Sequence, residues 1–128
     1  MKIYISIIFA IFVSCAINKD AAKTSVEEIK FGSGGGFTGR ETTYILSSTG
    51  KLSEGEKVLK QIDLKTTKSL FKEAEKMKAY SFNEPQNIYY FIVIQSKDNK
   101  NRIVWGSGSK PINKNVSDLY NQLMSLIK

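Results

Sequence analysis

The sequence predicts an α+β fold: an antiparallel sheet of about five strands in the chain order β-β-β-α-β-β-α, with two helices packed on one face. Three observations lead there. Several short segments alternate apolar and polar residues with a period of two, the mark of half-buried strands. Two longer segments repeat their apolar residues every three to four positions, the mark of amphipathic helices. Only short links separate these segments, which favours antiparallel neighbours with the helices gathered on one side.

Residues 25–31, SVEEIKF, form the first strand candidate, with Val26 and Ile29 apolar. The stretch FGSGGGFTG, residues 31–39, reads as a wide connection, since glycine takes backbone conformations that other residues reach only with strain. In ETTYILSS, residues 41–48, Thr42, Tyr44 and Leu46 fall on one side of a strand, and Thr43 and Ile45 on the other. Gly50, in STGK, marks a tight turn. A third strand follows in KLSEGEKVLKQI, residues 51–62, weakened where Gly55 interrupts it. On that strand Glu54 and Glu56 share a face.

Leu70, Phe71, Ala74 and Met77 recur at helical spacing, with Lys72, Glu75 and Lys76 opposite, and Asp63 or Thr66 is placed to cap the helix. Pro85, in YSFNEPQN, forbids its continuation. IYYFIVIQ, residues 88–95, is apolar on both faces, as a central strand is. KDNKN is a hairpin turn and RIVWG, residues 102–106, its partner strand. Val116, Leu119, Tyr120, Leu123, Leu126 and Ile127 then form one stripe of a second helix. Asn115, with Asp118 three residues later, resembles a capping box there.

The N-terminus carries an address. Met1 and Lys2 precede an apolar run of eleven residues, IYISIIFAIFV. Crossing a bilayer takes about 20 residues, so the run suits the core of a secretory signal peptide instead. It ends in FVSC, where Ser14 precedes Cys15, the single cysteine of the chain. FVSC resembles a bacterial lipobox, with Phe12 in place of the usual leucine. The resemblance implies cleavage after Ser14 and acylation of Cys15, the alternative being an ordinary signal peptide with an incidental cysteine. The expected organisation is a lipoprotein signal peptide at 1–14, a lipidated tether at 15–24 and one α+β domain at 25–128. Cleavage leaves 128 − 14 = 114 residues and, with Lys2 gone, a side-chain charge of 18 − 12 = +6.

The glycines raise a different possibility. Seven of nine lie in two stretches: five in residues 31–39, and Gly106 and Gly108 in WGSGS. Gly34, Gly36 and Gly39 match G-x-G-x-x-G, and GGGFTGRE is a near miss to the P-loop. Both motifs hold their anion on the N-terminus of a following helix. Here a period-two segment follows, Arg40 replaces the P-loop lysine, and Glu41 would repel phosphate. A turning role is therefore expected, and no nucleotide, cofactor or metal.

The chain has no histidine, and acylation would consume its one thiolate, which removes Cys/His metal sites and Ser–His or Cys–His catalysis. Ser–Lys or carboxylate chemistry in a glycine-loop cleft stays open as the alternative, an envelope enzyme. Lysine interleaves with Glu and Asp along the first helix and third strand. That is a mixed surface, unlike the basic stripe of a nucleic-acid binder. Partners expected of such a charge in the envelope are membrane lipid, an envelope protein or an anionic surface polymer.

At GSGGGFTG, FNEPQNIYYF and NRIVWGSGSK the chain resembles small lipoproteins of unknown function found in Bacteroidota, in which a signal peptide precedes one antiparallel α+β domain with glycine-rich connections. The likeness covers residues 25 to 128 in layout. It implies an envelope location and a fold, with no activity or site residues to carry over. The resulting expectation is a lipid-anchored, non-enzymatic binding or assembly module of the bacterial cell envelope.

One surface is singled out. Of 19 basic residues only two are arginine, Arg40 and Arg102, and both border the glycine-rich stretches. Arginine's rigid fork suits bidentate recognition and stacking. WGSGSK precedes a helix, which makes its N–H groups and Lys110 anion-site candidates. Arg40, Arg102, Trp105, Gly106, Gly108 and Lys110 are therefore the candidate recognition surface, against the alternative that the arginines are merely exposed and Trp105 is core.

Overall fold

The computed structural model describes residues 25–128. The expected signal peptide, tether and Cys15 lie outside the described residues. The chain order is β1 (Val26–Gly35), β2 (Glu41–Ser47), β3 (Lys51–Glu54), β4 (Lys57–Gln61), α1 (Leu64–Glu75), β5 (Asn83–Glu84), β6 (Ile88–Ser96), β7 (Lys100–Gly106) and α2 (Lys114–Ser125). The sheet runs β4-β3-β2-β1-β6-β7-β5.

The α+β class and the two helices are as expected, but the sheet has seven strands and is mixed. Two segments account for the difference. KLSEGEKVLKQI is a hairpin of two strands, because Gly55 takes φ +57, a left-handed conformation that turns the chain back. Glu54 accordingly ends β3, and Glu56 lies in the turn. The second is Asn83–Glu84, which pairs parallel to β7 at Val104 and Trp105. Pro85, expected to stop the first helix, lies ten residues beyond its actual end at Glu75 and instead keeps this edge strand short.

The glycine stretch departs from expectation as well. Gly32, Gly34 and Gly35 lie inside β1, all three paired with β6 and the first two also with β2, so the connection shrinks to residues 36–40. A strand can tolerate so many missing side chains only if neighbours fill the space, and here they do, as described below.

Both helices lie on one face of the sheet. Ile29, Phe31, Leu46, Leu52, Ile92, Ile94 and Ile103 meet Leu70, Phe71 and Ala74 of α1, and Val116, Leu119 and Leu123 of α2, in one core. Asp63 caps α1, its Oδ2 accepting from the Thr66 N–H at 2.9 Å. The cap of α2 is Asn113, one residue before the helix, with its Oδ1 accepting from the Asn115 N–H at 2.8 Å. Asn115 therefore lies inside the helix, and Asp118 pairs with Lys114 instead, at 2.8 Å. An aromatic group clamps α2 to the sheet: Tyr120 meets Trp105 edge-on at 5.1 Å and Tyr90 at 5.7 Å. The Tyr120 hydroxyl donates to the Gly32 carbonyl at 3.1 Å. Burial pushes this phenol up to about 12, with the neighbouring Tyr90 and Tyr44 adding to the effect.

Helix α1 lies across the strands. It begins beside the β2–β3 turn, where the Ile62 N–H bonds to the Gly50 carbonyl. Past its C-terminal end, Asn101 at the start of β7 donates to the carbonyls of Met77 and Tyr80. From β3 to β7 is four strand spacings, about 19 Å; twelve helical residues span about 18 Å.

A candidate recognition face without helices

Alternation sends every second residue of each strand to the other face. On β6 these are Tyr89, Phe91 and Val93; on β7, Arg102 and Val104; on β2, Glu41, Thr43 and Ile45; on β1, Lys30, Gly32 and Gly34. Among the described residues no helix covers this face, yet Phe91 is 1% exposed, Val93 3% and Val104 4%. Three features close off Phe91, at its centre.

The first is the floor. A Cβ at Gly32 would collide with the Thr42 carbonyl and sit 3.3 Å from Phe91 Cζ, so the Phe91 ring takes the place of the missing side chain. At Gly34 a Cβ would stand 2.6 Å from Tyr89 Cζ. Gly32 and Gly34 are thus each covered by an aromatic ring of β6, the arrangement that restores packing to a glycine-bearing strand, while Gly35 lies against the backbone of Asn87 and Ile88.

The second is an ion pair that spans the sheet. Arg102 donates to Glu41 Oε2 at 3.0 Å. These residues are three strands apart, and in register Glu41 aligns with Gly34, Tyr89 and Gly106, four positions along β7 from Arg102. In a flat sheet that diagonal would be about 19 Å. The two long side chains cover most of that span across a face that bends along it, and at Gly32 the neighbouring strand approaches to where a Cβ would stand.

The third is the cover over Phe91. On its way to Glu41 the Arg102 guanidinium lies 4.5 Å from the Phe91 ring centroid, a cation–π contact worth about 0.5–2 kcal/mol depending on desolvation. Tyr89 completes the cluster, its hydroxyl donating to the same Glu41 oxygen at 2.6 Å. Burial alone would raise the Glu41 carboxyl. The hydrogen bonds from Tyr89 and Arg102, with the charge of Arg102, outweigh it and hold the group below its ordinary value. Donating that bond to Glu41 in turn makes the Tyr89 phenol harder to ionise. A fixed carboxylate, a half-exposed guanidinium and an apolar floor are a binding chemistry. Among the described residues no cluster of three or more metal-ligating side chains occurs.

The residues singled out in the sequence divide between this face and other places. Arg102 is at its centre. Arg40 adjoins Glu41 at the start of β2 and is exposed, and its guanidinium forms no ion pair among the described residues. Trp105 points the other way, into the helix-covered core, and is 8% exposed. Gly106 and Gly108 pack against the Gln86 side chain, while the Gly36 N–H bonds to the Asn87 carbonyl at 2.9 Å. Both glycine-rich stretches thus meet the 86–87 segment at one end of the sheet. There Phe37 and Ile88 are exposed. Lys110 turns both its N–H and its ammonium toward Glu84, at 3.2 and 3.6 Å, so the chain's own carboxylate occupies that anion position.

Glu41, Tyr89 and Phe91 are the site residues that sequence reasoning missed. The available signal was parity: Glu41 alternates with Thr43 and Ile45, the half of β2 that turns away from Tyr44 and Leu46. No protein-family model matches the sequence, and no curated protein matches it.

Proposed function

We propose that this chain is a lipid-anchored protein of the bacterial cell envelope whose domain is a non-enzymatic binding module, and that the helix-free face, with Arg102, Arg40 and Glu41, receives the partner. The observation that carries the binding role is the convergence of Arg102 and Tyr89 on Glu41, across four strands, over the buried Phe91. Such polar residues add little to stability on a surface. Held in fixed geometry beside apolar area, they suit recognition of an envelope protein or an anionic surface polymer. The envelope address is supported by the lipobox-like FVSC behind an apolar run too short to span a bilayer.

The address is tested by Cys15→Ser. Incorporation of a labelled fatty acid should be lost, and the protein should leave the membrane fraction. Unchanged labelling would end the lipoprotein reading. For the face, crosslinking in intact membranes should capture less partner with Arg40→Ala, at nearly unchanged melting temperature, and with Arg102→Ala at a temperature where that less stable variant is still fully folded. Capture that survives both substitutions would remove the arginines from recognition.

A further inference from the structure

Along the sequence, the lysines of α1 alternate with acids and hydroxyls. On the helix they do not. At 100° per residue, Lys65, Lys68, Lys72 and Lys76 fall within one narrow outward stripe, and all four are exposed. The buried side, Thr67, Leu70, Phe71 and Ala74, lies opposite. Glu73 and Glu75 fall on the flanks, where Lys76 and Lys78 bind them at 3.1 and 2.6 Å. Asp63 is taken up by the N-cap. Lys65, Lys68 and Lys72 form no ion pair among the described residues.

The stripe has a place as well as a charge. Ser25, the first described residue, is tied to Glu75 by its N–H and hydroxyl, both at 3.1 Å, and to Lys78 at 3.0 Å. The N-terminal segment therefore enters the domain at the C-terminal end of α1. Cys15 lies ten positions before that point, a covalent reach of at most about 33–36 Å. That exceeds the whole helix, about 18 Å long. Beside the stripe, Lys65, Thr66 and Ser69 of α1 face Gln122 and Ser125 of α2 across a groove of about 500 Å³. Its hydroxyl, amide and ammonium groups are donors for phosphate oxygens. Leu64, 59% exposed, adds an apolar side chain at the same end of the helix.

We propose that the lysine stripe of α1 rests on the anionic headgroups of the membrane to which the protein is attached. This rests on the lipid-anchor reading for its setting, though not for its chemistry. Lysines near an anionic surface attract it individually and lose that attraction within a Debye length. The helix layer then faces the membrane, and the Arg102–Glu41 face, on the other side of the sheet, faces away from it.

The test uses the full lipidated chain in lipid nanodiscs, either of phosphatidylcholine alone or containing phosphatidylglycerol. A short pulse of amine acetylation is read lysine by lysine by mass spectrometry. On anionic discs Lys65, Lys68 and Lys72 should react about fivefold more slowly than on neutral ones, the ratio that about 1 kcal/mol per lysine gives. Lys100, which shares the helix-free face with Arg102, and Lys110 should not change, and high salt should erase the difference. Retention on both discs with equal rates at the stripe would overturn the proposal and leave the anchor intact. Failure to stay on neutral discs, with the stripe still protected on anionic ones, would sink the anchor and leave the stripe standing. Protection by a soluble polyanion but not by anionic discs would also overturn it, making the stripe a polymer site.

Discussion

On one face of the sheet Ile29, Phe31, Leu46, Ile92, Ile94 and Ile103 are shut off from water by two amphipathic helices. On the other, Phe91, Val93 and Val104 are shut off almost as completely with no helix above them. The first face is sealed by dedicated elements whose outward chemistry is mostly polar. The second is sealed by the sheet's own curl over glycine and by two polar side chains, Arg102 and Tyr89, held by one carboxylate. A helix cannot leave without unfolding the domain. A guanidinium can be taken by a partner, and Phe91 would then meet that partner instead of Arg102.

The largest test of this contrast compares one deletion on each face. Leu123→Ala should cost about 2–5 kcal/mol and Phe91→Ala about 3–5, through lost transfer energy plus a cavity. Denaturant titration measures both. A cost below about 0.5 kcal/mol for Phe91→Ala would mean that the uncovered face is open in solution. The same result for Leu123→Ala would make α2 a docking surface instead of a cover.

A smaller effect is expected from Gly32→Ala, which asks whether the curl depends on a missing side chain. The added methyl meets the Thr42 carbonyl, which is backbone and cannot swing away, and it presses on Phe91. A loss of about 1–3 kcal/mol follows from such overpacking. The informative readout is the Arg102–Glu41 coupling in a double-mutant cycle, which should shrink in the Gly32→Ala background. An undiminished coupling would mean that the diagonal closes without the glycine.

The helix-covered face was largely legible in the sequence, because Leu70, Phe71, Ala74 and Val116, Leu119, Leu123 advertise their burial by spacing alone. So was the central position of IYYFIVIQ, apolar in both parities. The uncovered face was not. Its glycines read as a connection, since glycine's low strand preference says nothing about rings on a distant strand that fill the gap. Glu41 and Arg102 lie 61 residues apart, and only the register of four strands makes them neighbours. β5 escaped notice because two residues carry no period. The lysines of α1 read as a mixed surface because charge was followed along the chain and not around the helix. Arg102 was singled out by the rarity of arginine among so many lysines and lies on the uncovered face, while Trp105 shares its strand but not its parity.

Arg102→Ala should cost about 1–2 kcal/mol, combining its cation–π contact with a partly exposed ion pair. Arg102→Lys sharpens the point: it keeps the charge but loses the planar fork, so a stability near that of Arg102→Ala would assign the effect to stacking over Phe91. If lysine restored full stability, simple charge pairing with Glu41 would suffice, and the fixed geometry invoked for recognition would lose its basis.

The smallest expected effect separates the two faces by pH. The folded pKa of Glu41 is lowered, so its contribution is fully present above the unfolded glutamate value, about 4.3. It is lost as pH falls below that value and through the folded one. Tyr120, on the helix-covered side, has the opposite sign. Its folded pKa is raised to about 12, so its contribution is intact below the unfolded phenol value, near 10, and declines as pH rises from there toward about 12. Asp63 and Glu75 are also lowered and contribute to the acid limb, so the Glu41 share must be read by difference. Stability against pH for Glu41→Gln should run below wild type at neutral pH and converge with it in acid, and on the alkaline side it should lose only the share of the Tyr89 phenol, whose rise comes first from its bond to Glu41. Tyr120→Phe should reduce the alkaline limb, to which Tyr89 and Lys114 also contribute, and leave the acid limb alone. Curves for Glu41→Gln and wild type that stay parallel down through the acid transition would show that the carboxylate is not held by Arg102 and Tyr89 in solution. The polar cover of Phe91 would then have to come from some other contact.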